Sequence, residues 1–166
     1  SYDALAVYTV PSGGASSITF AGIPQSGYQH LQIRYIARDT SATVDENSLT
    51  LQFNGDTTAN YNRHYLLGDG ATVFAGASTP SSIDAGLVVG GGLGANCFAA
   101  GVIDILDYTN TTKNKTVRSL SGGDTNAGTN KNYVEFESGL WRSTAAINSI
   151  LVQCNGGNLE IGRAHV

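Results

Sequence analysis

The sequence predicts an all-β chain, a two-sheet antiparallel β-sandwich of jelly-roll type with about eight to ten short strands and little helix. Three observations lead there. Apolar and polar residues alternate with period two in run after run, and Gly, Asn, Asp and Ser bound the runs. Charged residues make up only 13% of the chain, against roughly 25% in ordinary soluble domains. Gly, Ser, Thr and Asn fill the deficit, which suits short strands and turns rather than exposed helices rich in Glu and Lys. Finally, the connections at 39–47 and 69–83 are longer than tight hairpins and suit crossings between two sheets. The 166 residues form one domain over 1–166, large enough to bury roughly 70% of its unfolded surface without a metal or disulfide staple.

In chain order, short strands are expected at 6–10 and 17–20. "HLQIRYIARD" then puts Leu31, Ile33, Tyr35 and Ala37 on one face, with Gln32, Arg34, Ile36 and Arg38 mostly outward. "SLTLQFNGD" repeats the pattern with Leu49, Leu51 and Phe53. Asn54-Gly55 supplies the φ > 0 conformations of a tight hairpin turn, Asp56 bonds to backbone amides just beyond it, and Tyr61 folds back to close the corner. A strand at 87–89 precedes "VIDILDY", where Ile103, Ile105 and Asp107 share one side and Val102, Asp104 and Leu106 the other. One aspartate should therefore lie inside, bonded to a turn or to an arginine such as Arg34 or Arg118, and Asp107 is the better candidate. After a polar turn the chain returns at 115–120. "YVEFESG" separates Val134 and Phe136 from Tyr133, Glu135 and Glu137, and the glutamates are expected on a solvated outer face. "RSTAAINSI" fits a helical turn capped by Ser143 or Thr144, or the start of a strand through Ile147, Ile150 and Val152, and "NLEIGRAHV" gives one more strand.

The net charge of −4 leaves no positive excess to neutralise phosphates, so nucleic acid and anionic membrane surfaces are not expected partners. No apolar run approaches the roughly 20 residues of a membrane span, and no signal peptide opens the chain. Cys97 and Cys154 read as buried reduced thiols in preference to a lone disulfide. In "VVGGGLGANC", Gly90, Gly92 and Ala95 satisfy a dinucleotide-type GxGxxA pattern, but that motif needs a helix directly behind it. A strand follows instead, and the run is a glycine loop. His30, His64 and His165 share no metal-ligand spacing, and Ser121 in "LSGG" has no elbow or partner. Glu135 and Glu137 stand about 7 Å apart along a strand, a glycosidase-like separation. Hydrolysis needs one such acid in an apolar, aromatic-backed pocket, and the chain has one Trp. Asp56 alone is too few carboxylates for a calcium loop. "NTTK" and "NKT", at Asn110 and Asn114, match a glycosylation acceptor but read more simply as a polar turn. No catalytic, cofactor or metal residue is assigned on these grounds.

Several segments carry a resemblance to a known group. "ITFAGIPQSGYQHLQIRYIARD", "LQFNGDTTANYNRHYLLGDG", "DILDYTNTTKNKTVRSLSG" and "GLWRSTAAINSILVQCNGGNLEIG" follow one another in the order and spacing of a group of tailed-phage virion structural proteins. The signature positions are Phe53, Asn54, Gly55, Asp56, Tyr61, Asp107, Tyr108 and Trp141, and the similarity covers residues 17–162. The chain departs from the group at "GRAHV", where the group closes on an apolar-Tyr-Gly-Ile strand. The resemblance implies a non-enzymatic component located on the virion and assembled in the host cytoplasm, with no cofactor. Capsid decoration, binding and stabilising the coat protein shell, is the leading expectation. A tail-fibre or appendage module with a face for surface glycan is the alternative, and a jelly-roll lectin or glycosidase stands third. A homo-oligomer, specifically a homotrimer, suits both a fibre axis and a three-fold position on a shell.

Overall fold

A computed structural model of the chain describes residues 2–42, 46–93, 96–125 and 132–165. The described residues form twelve strands: β1 (Val7–Thr9), β2 (Ser17–Ala21), β3 (Leu31–Asp39), β4 (Glu46–Phe53), β5 (Tyr61–Gly68), β6 (Val73–Ser78), β7 (Ile83–Val89), β8 (Ala99–Leu106), β9 (Lys115–Gly123), β10 (Tyr133–Trp141), β11 (Ser149–Cys154) and β12 (Leu159–His165). The helical content described is one 3₁₀ turn at Gly91–Leu93.

Two layers result. The smaller sheet runs β2-β11-β4-β7, and the larger runs β3-β8-β9-β10-β5-β6, with β12 and then β1 added beyond β3. A single parallel bridge, Arg38 to Val89, joins them where the chain folds over. Setting aside the β8–β9 hairpin leaves β2-β11-β4-β7 facing β3-β10-β5-β6, the double-Greek-key order of a jelly roll. The predicted all-β sandwich is therefore the observed architecture. Ile33, Leu51, Phe53, Ile103 and Ile150 are fully buried between the layers, on the faces their alternation indicated.

Two strands go beyond the eight to ten expected. The inner side of β5 carries Arg63 while its outer side carries Leu66, so "YNRHYLLG" shows no normal alternation. β6, within the expected 69–83 crossing, is exposed on both faces and has no inward row to reveal it. The stretch 143–148 forms no helix; it runs irregularly into β11. Arg38, expected outward, is buried beside Glu160 (3.0 Å) and donates to the Gly91 carbonyl (3.1 Å).

Strand β7 is the inner wall of the smaller sheet and packs across β8, β9 and β10. Its pairing with β4 slips by one residue between Leu87 and Asp84, a bulge that includes Gly86 at φ +140°. From the larger sheet the Tyr35 hydroxyl donates to the Leu87 carbonyl (2.9 Å), and Ser121 Oγ accepts from the Leu87 amide (3.0 Å). A Cβ on Gly86 would overlap the Tyr35 hydroxyl and press on Ser121. Gly86→Ala should therefore destabilise the fold by about 2–3 kcal/mol, from strain at positive φ and overpacking. Urea unfolding measures it, and an effect near zero would mean that Tyr35 and Ser121 do not fix this crossing.

Candidate functional site

Three polar or exposed regions stand out, and the first is the corner at "FNGDTTANY". Asn54 and Gly55 take φ 54° and 72°, and the Asp56 amide closes the turn onto the Phe53 carbonyl (2.9 Å). The turn was expected to make a hairpin. It instead launches a crossing, since β4 lies between β11 and β7 while β5 lies between β10 and β6. Asp56 accepts four hydrogen bonds: from the Thr58 amide (3.0 Å) and hydroxyl (2.5 Å), Asn60 Nδ2 (3.1 Å) and Trp141 Nε1 (2.8 Å). Those donors, Thr58 first and Trp141 next, hold its carboxyl well below the ordinary aspartate value. Tyr61 accepts from the Phe53 amide (3.1 Å) and donates to the Asp56 carbonyl (2.9 Å), as its corner-closing role requires. Its ring stacks on Trp141 at 6.4 Å between centroids, with Phe53 tilted against both. Asn54 fastens the far side, donating to the Ala146 carbonyl (2.8 Å) and accepting from the Asn148 amide (2.9 Å).

The second signature pair divides its labour differently from the sequence reading. Asp107, expected inside, sits in a half-exposed turn at φ 50°. It accepts from Gln29 (3.0 Å) and Lys113 (3.2 Å), which lower its pKa, and its amide donates to His30 Nδ1 (2.9 Å). The expected arginine partner belongs to Asp104, which Arg118 reaches at 3.2 Å. Tyr108 is the fully buried member, with its hydroxyl donated to the Pro24 carbonyl. The turn forces a positive φ on Asp107, and this breaks the alternation that pointed it inward.

The remaining singled-out residues stay apart. Cys97 and Cys154 are free, half-buried thiols; burial first, then Asp39, pushes the Cys154 thiol up to about 12. His64 is exposed, and the side chain of His165 and residue Ala95 lie outside the described residues. Among the described residues no group of three or more His, Cys, Asp or Glu side chains is placed to hold a metal ion.

The third region corrects the sequence reading most. Glu135 and Glu137 are not on a solvated face: they are 3% and 2% exposed and point between the sheets. Arg63 of β5 pairs there with Asp84 of β7 and with Glu137, and stands 3.6 Å from Glu135. One guanidinium thus faces three carboxyls. Burial drives Glu135 up to about 7, and burial together with Glu135 drives Glu137 up to about 8. Oε2 of each glutamate has no hydrogen-bond partner among the described residues. Nothing local signals this, because Glu on a strand normally faces water.

With the glutamates inward, the apolar side chains of β10 must face out. Val134 and Phe136 are 57% and 49% exposed. Pairing aligns Val102, Leu120, Phe136, Leu66 and Ala75 in one row across five strands. The next row holds Ile36, Ala100, Gly122, Val134, Gly68 and Val73. The second row spans six strands, about 24 Å at strand spacing, while the first ends at Arg34 on β3, so the two rows form an uncharged exposed patch over β8, β9, β10, β5 and β6 of the kind that marks an interaction surface. A row containing Gln32, Asp104, Arg118 and His64 borders it.

No family model matches the chain, and neither a curated protein nor a solved structure matches it.

The buried carboxyls set a pH dependence with a definite sign. Their folded pKa values lie above the ordinary glutamate value of 4.5, so their stabilising protonated form is complete below that value and is lost as pH rises through about 7 and 8. Asp56 and Asp107 act oppositely, losing their contribution as pH falls below the ordinary aspartate value of 3.8. Melting temperature should therefore fall from mildly acidic to mildly alkaline pH, and Glu137→Gln should flatten that decline and raise stability at its alkaline end. Thermal melts of both proteins across the range check this; a flat wild-type profile would mean the carboxyls are solvated.

Proposed function

We propose that this chain is a non-enzymatic structural protein of a tailed-phage virion that decorates the capsid, binding coat subunits and stabilising the shell. The observation that carries the reading is the outer face of the larger sheet, where one uncharged row crosses six strands and a second crosses five, ending at Arg34 on β3. Such a face is costly on a free protein and useful on one that is assembled against a neighbour. The resemblance at the signature positions supports the same reading, since Phe53 to Tyr61, Tyr108 and Trp141 all serve corners of the sandwich. Glu135 and Glu137, the pair closest to a hydrolytic arrangement, are sealed between the sheets and offer no substrate access.

One observation favours the appendage alternative. A groove of about 1010 Å³ runs beside β3, lined by Tyr2, Tyr28, His30, Gln32 and Arg34 among others. Aromatic and polar side chains of this kind suit a shallow glycan site on a fibre.

Locating the chain in a reconstruction of the intact particle separates the two. Decoration predicts copies in step with the coat protein, spread over the shell. A small fixed number at the tail, with glycan-array binding lost in Tyr2→Ala, would favour the appendage, and absence from the particle would overturn both.

A further inference from the structure

Strand β6 ends the larger sheet. It pairs with β5 along one edge, and no described strand covers the other. Natural edges of this kind are guarded by charge, proline, a bulge or shortness. "VFAGAS" is six residues long with no charge and no proline, and its pairing with β5 runs without a register shift. Val73 and Phe74, on opposite faces, are 70% and 46% exposed. Of the other sheet ends, β1 has only three residues, and β2, five residues and likewise uncharged, buries Ile18 and Phe20 on its inner face.

We propose that two copies of this chain join through β6, antiparallel about a two-fold axis, to make one continuous sheet. The occupant is a second copy because β6 suits itself. In an isologous pair residue i meets residue j of the copy and j meets i, only the residue on the axis meets its own counterpart, and β6 carries no charge that the pairing would set against a like one. An axis normal to the sheet keeps outward residues outward. Centred on Ala75, it sets Val73 opposite the second copy's Ala77 and Phe74 opposite the second copy's Gly76, a large side chain against a small one each time. The pairing carries the apolar row through Ala75 from one copy into the other, while the row through Val73 meets the copy's row of Ala77, His64 and Arg118, and in extending the outer face it rests on the assembly reading above. It departs from the expected trimer: a two-fold pair closes with β6 alone, whereas a three-fold ring through β6 needs a second, different edge.

Sedimentation and light scattering of the full chain at micromolar concentration should give the mass of two chains. Ala75→Lys, which sets two ammonium groups at the axis, should return one chain with an unchanged fold by circular dichroism. Leu120→Lys, on the apolar face but three strands from the edge, should stay dimeric. Hydrogen exchange of the wild type should show amides 73–78 becoming more protected as concentration rises, which keeps the test open if the lysine variant misfolds. A wild-type monomer, a trimer, or a dimer broken by Leu120→Lys and not by Ala75→Lys would overturn the proposal. A monomer in solution that still decorates the shell would leave the assembly reading standing, and a β6-joined dimer missing from the particle would do the reverse.

Discussion

Arg63 decides which way strand β10 faces. A guanidinium placed between two sheets with only 15% of its side chain exposed must be neutralised mainly where it stands, because little water reaches it. Asp84 from the smaller sheet and Glu137 and Glu135 from the larger one surround it. Gly139, the residue of β10 opposite Arg63, leaves space there that Ile83 fills from across the sandwich. Once both glutamates turn inward, the period of the strand obliges Val134 and Phe136 to turn outward. The apolar exterior of the larger sheet is thus the counterpart of its charged interior.

The excess of acid over base in that cluster makes the interior responsive. With every carboxyl ionised, the group would carry net negative charge in a place of low dielectric; protons retained by the glutamates remove it. The corner at Asp56 works in the opposite sense, as an ionised carboxylate saturated by donors at the edge of the sandwich. One set of contacts fastens the layers through neutralisation and the other fastens the crossing through charge. Both bring together residues far apart in the chain, such as Asp56 with Trp141 and Arg63 with Glu137.

Much of this fold is written locally. Strands β3, β8, β9 and β11 alternate as strands with one buried face should, β4 alternates in sequence while burying both faces of its second half, and the Asn54-Gly55 turn, the Asp56 bonds and the Tyr61 closure follow from side chains within nine residues of one another. The reading failed where a strand reverses the usual rule. In β10 the alternation is visible but its faces are exchanged, since Arg63, 74 residues before Glu137, makes glutamate the inward residue. β5 hid for the same reason, and β6 because it has no buried face at all. Trp141 was legible as part of a pattern, but its bond to Asp56 depends on register between β10 and β5, which no local signal fixes.

The inverted β10 and the surface it creates form the centre of this account, and footprinting tests them together. Carbene labelling of the chain, free and then mixed with the particle it is proposed to decorate, reports which side chains assembly covers. Leu66, Leu120, Val134 and Phe136 should label strongly in the free chain and lose that labelling on assembly, while Thr19 on the smaller sheet keeps its own. Weak labelling of Val134 and Phe136 in the free chain, or protection confined to the smaller sheet, would contradict the account.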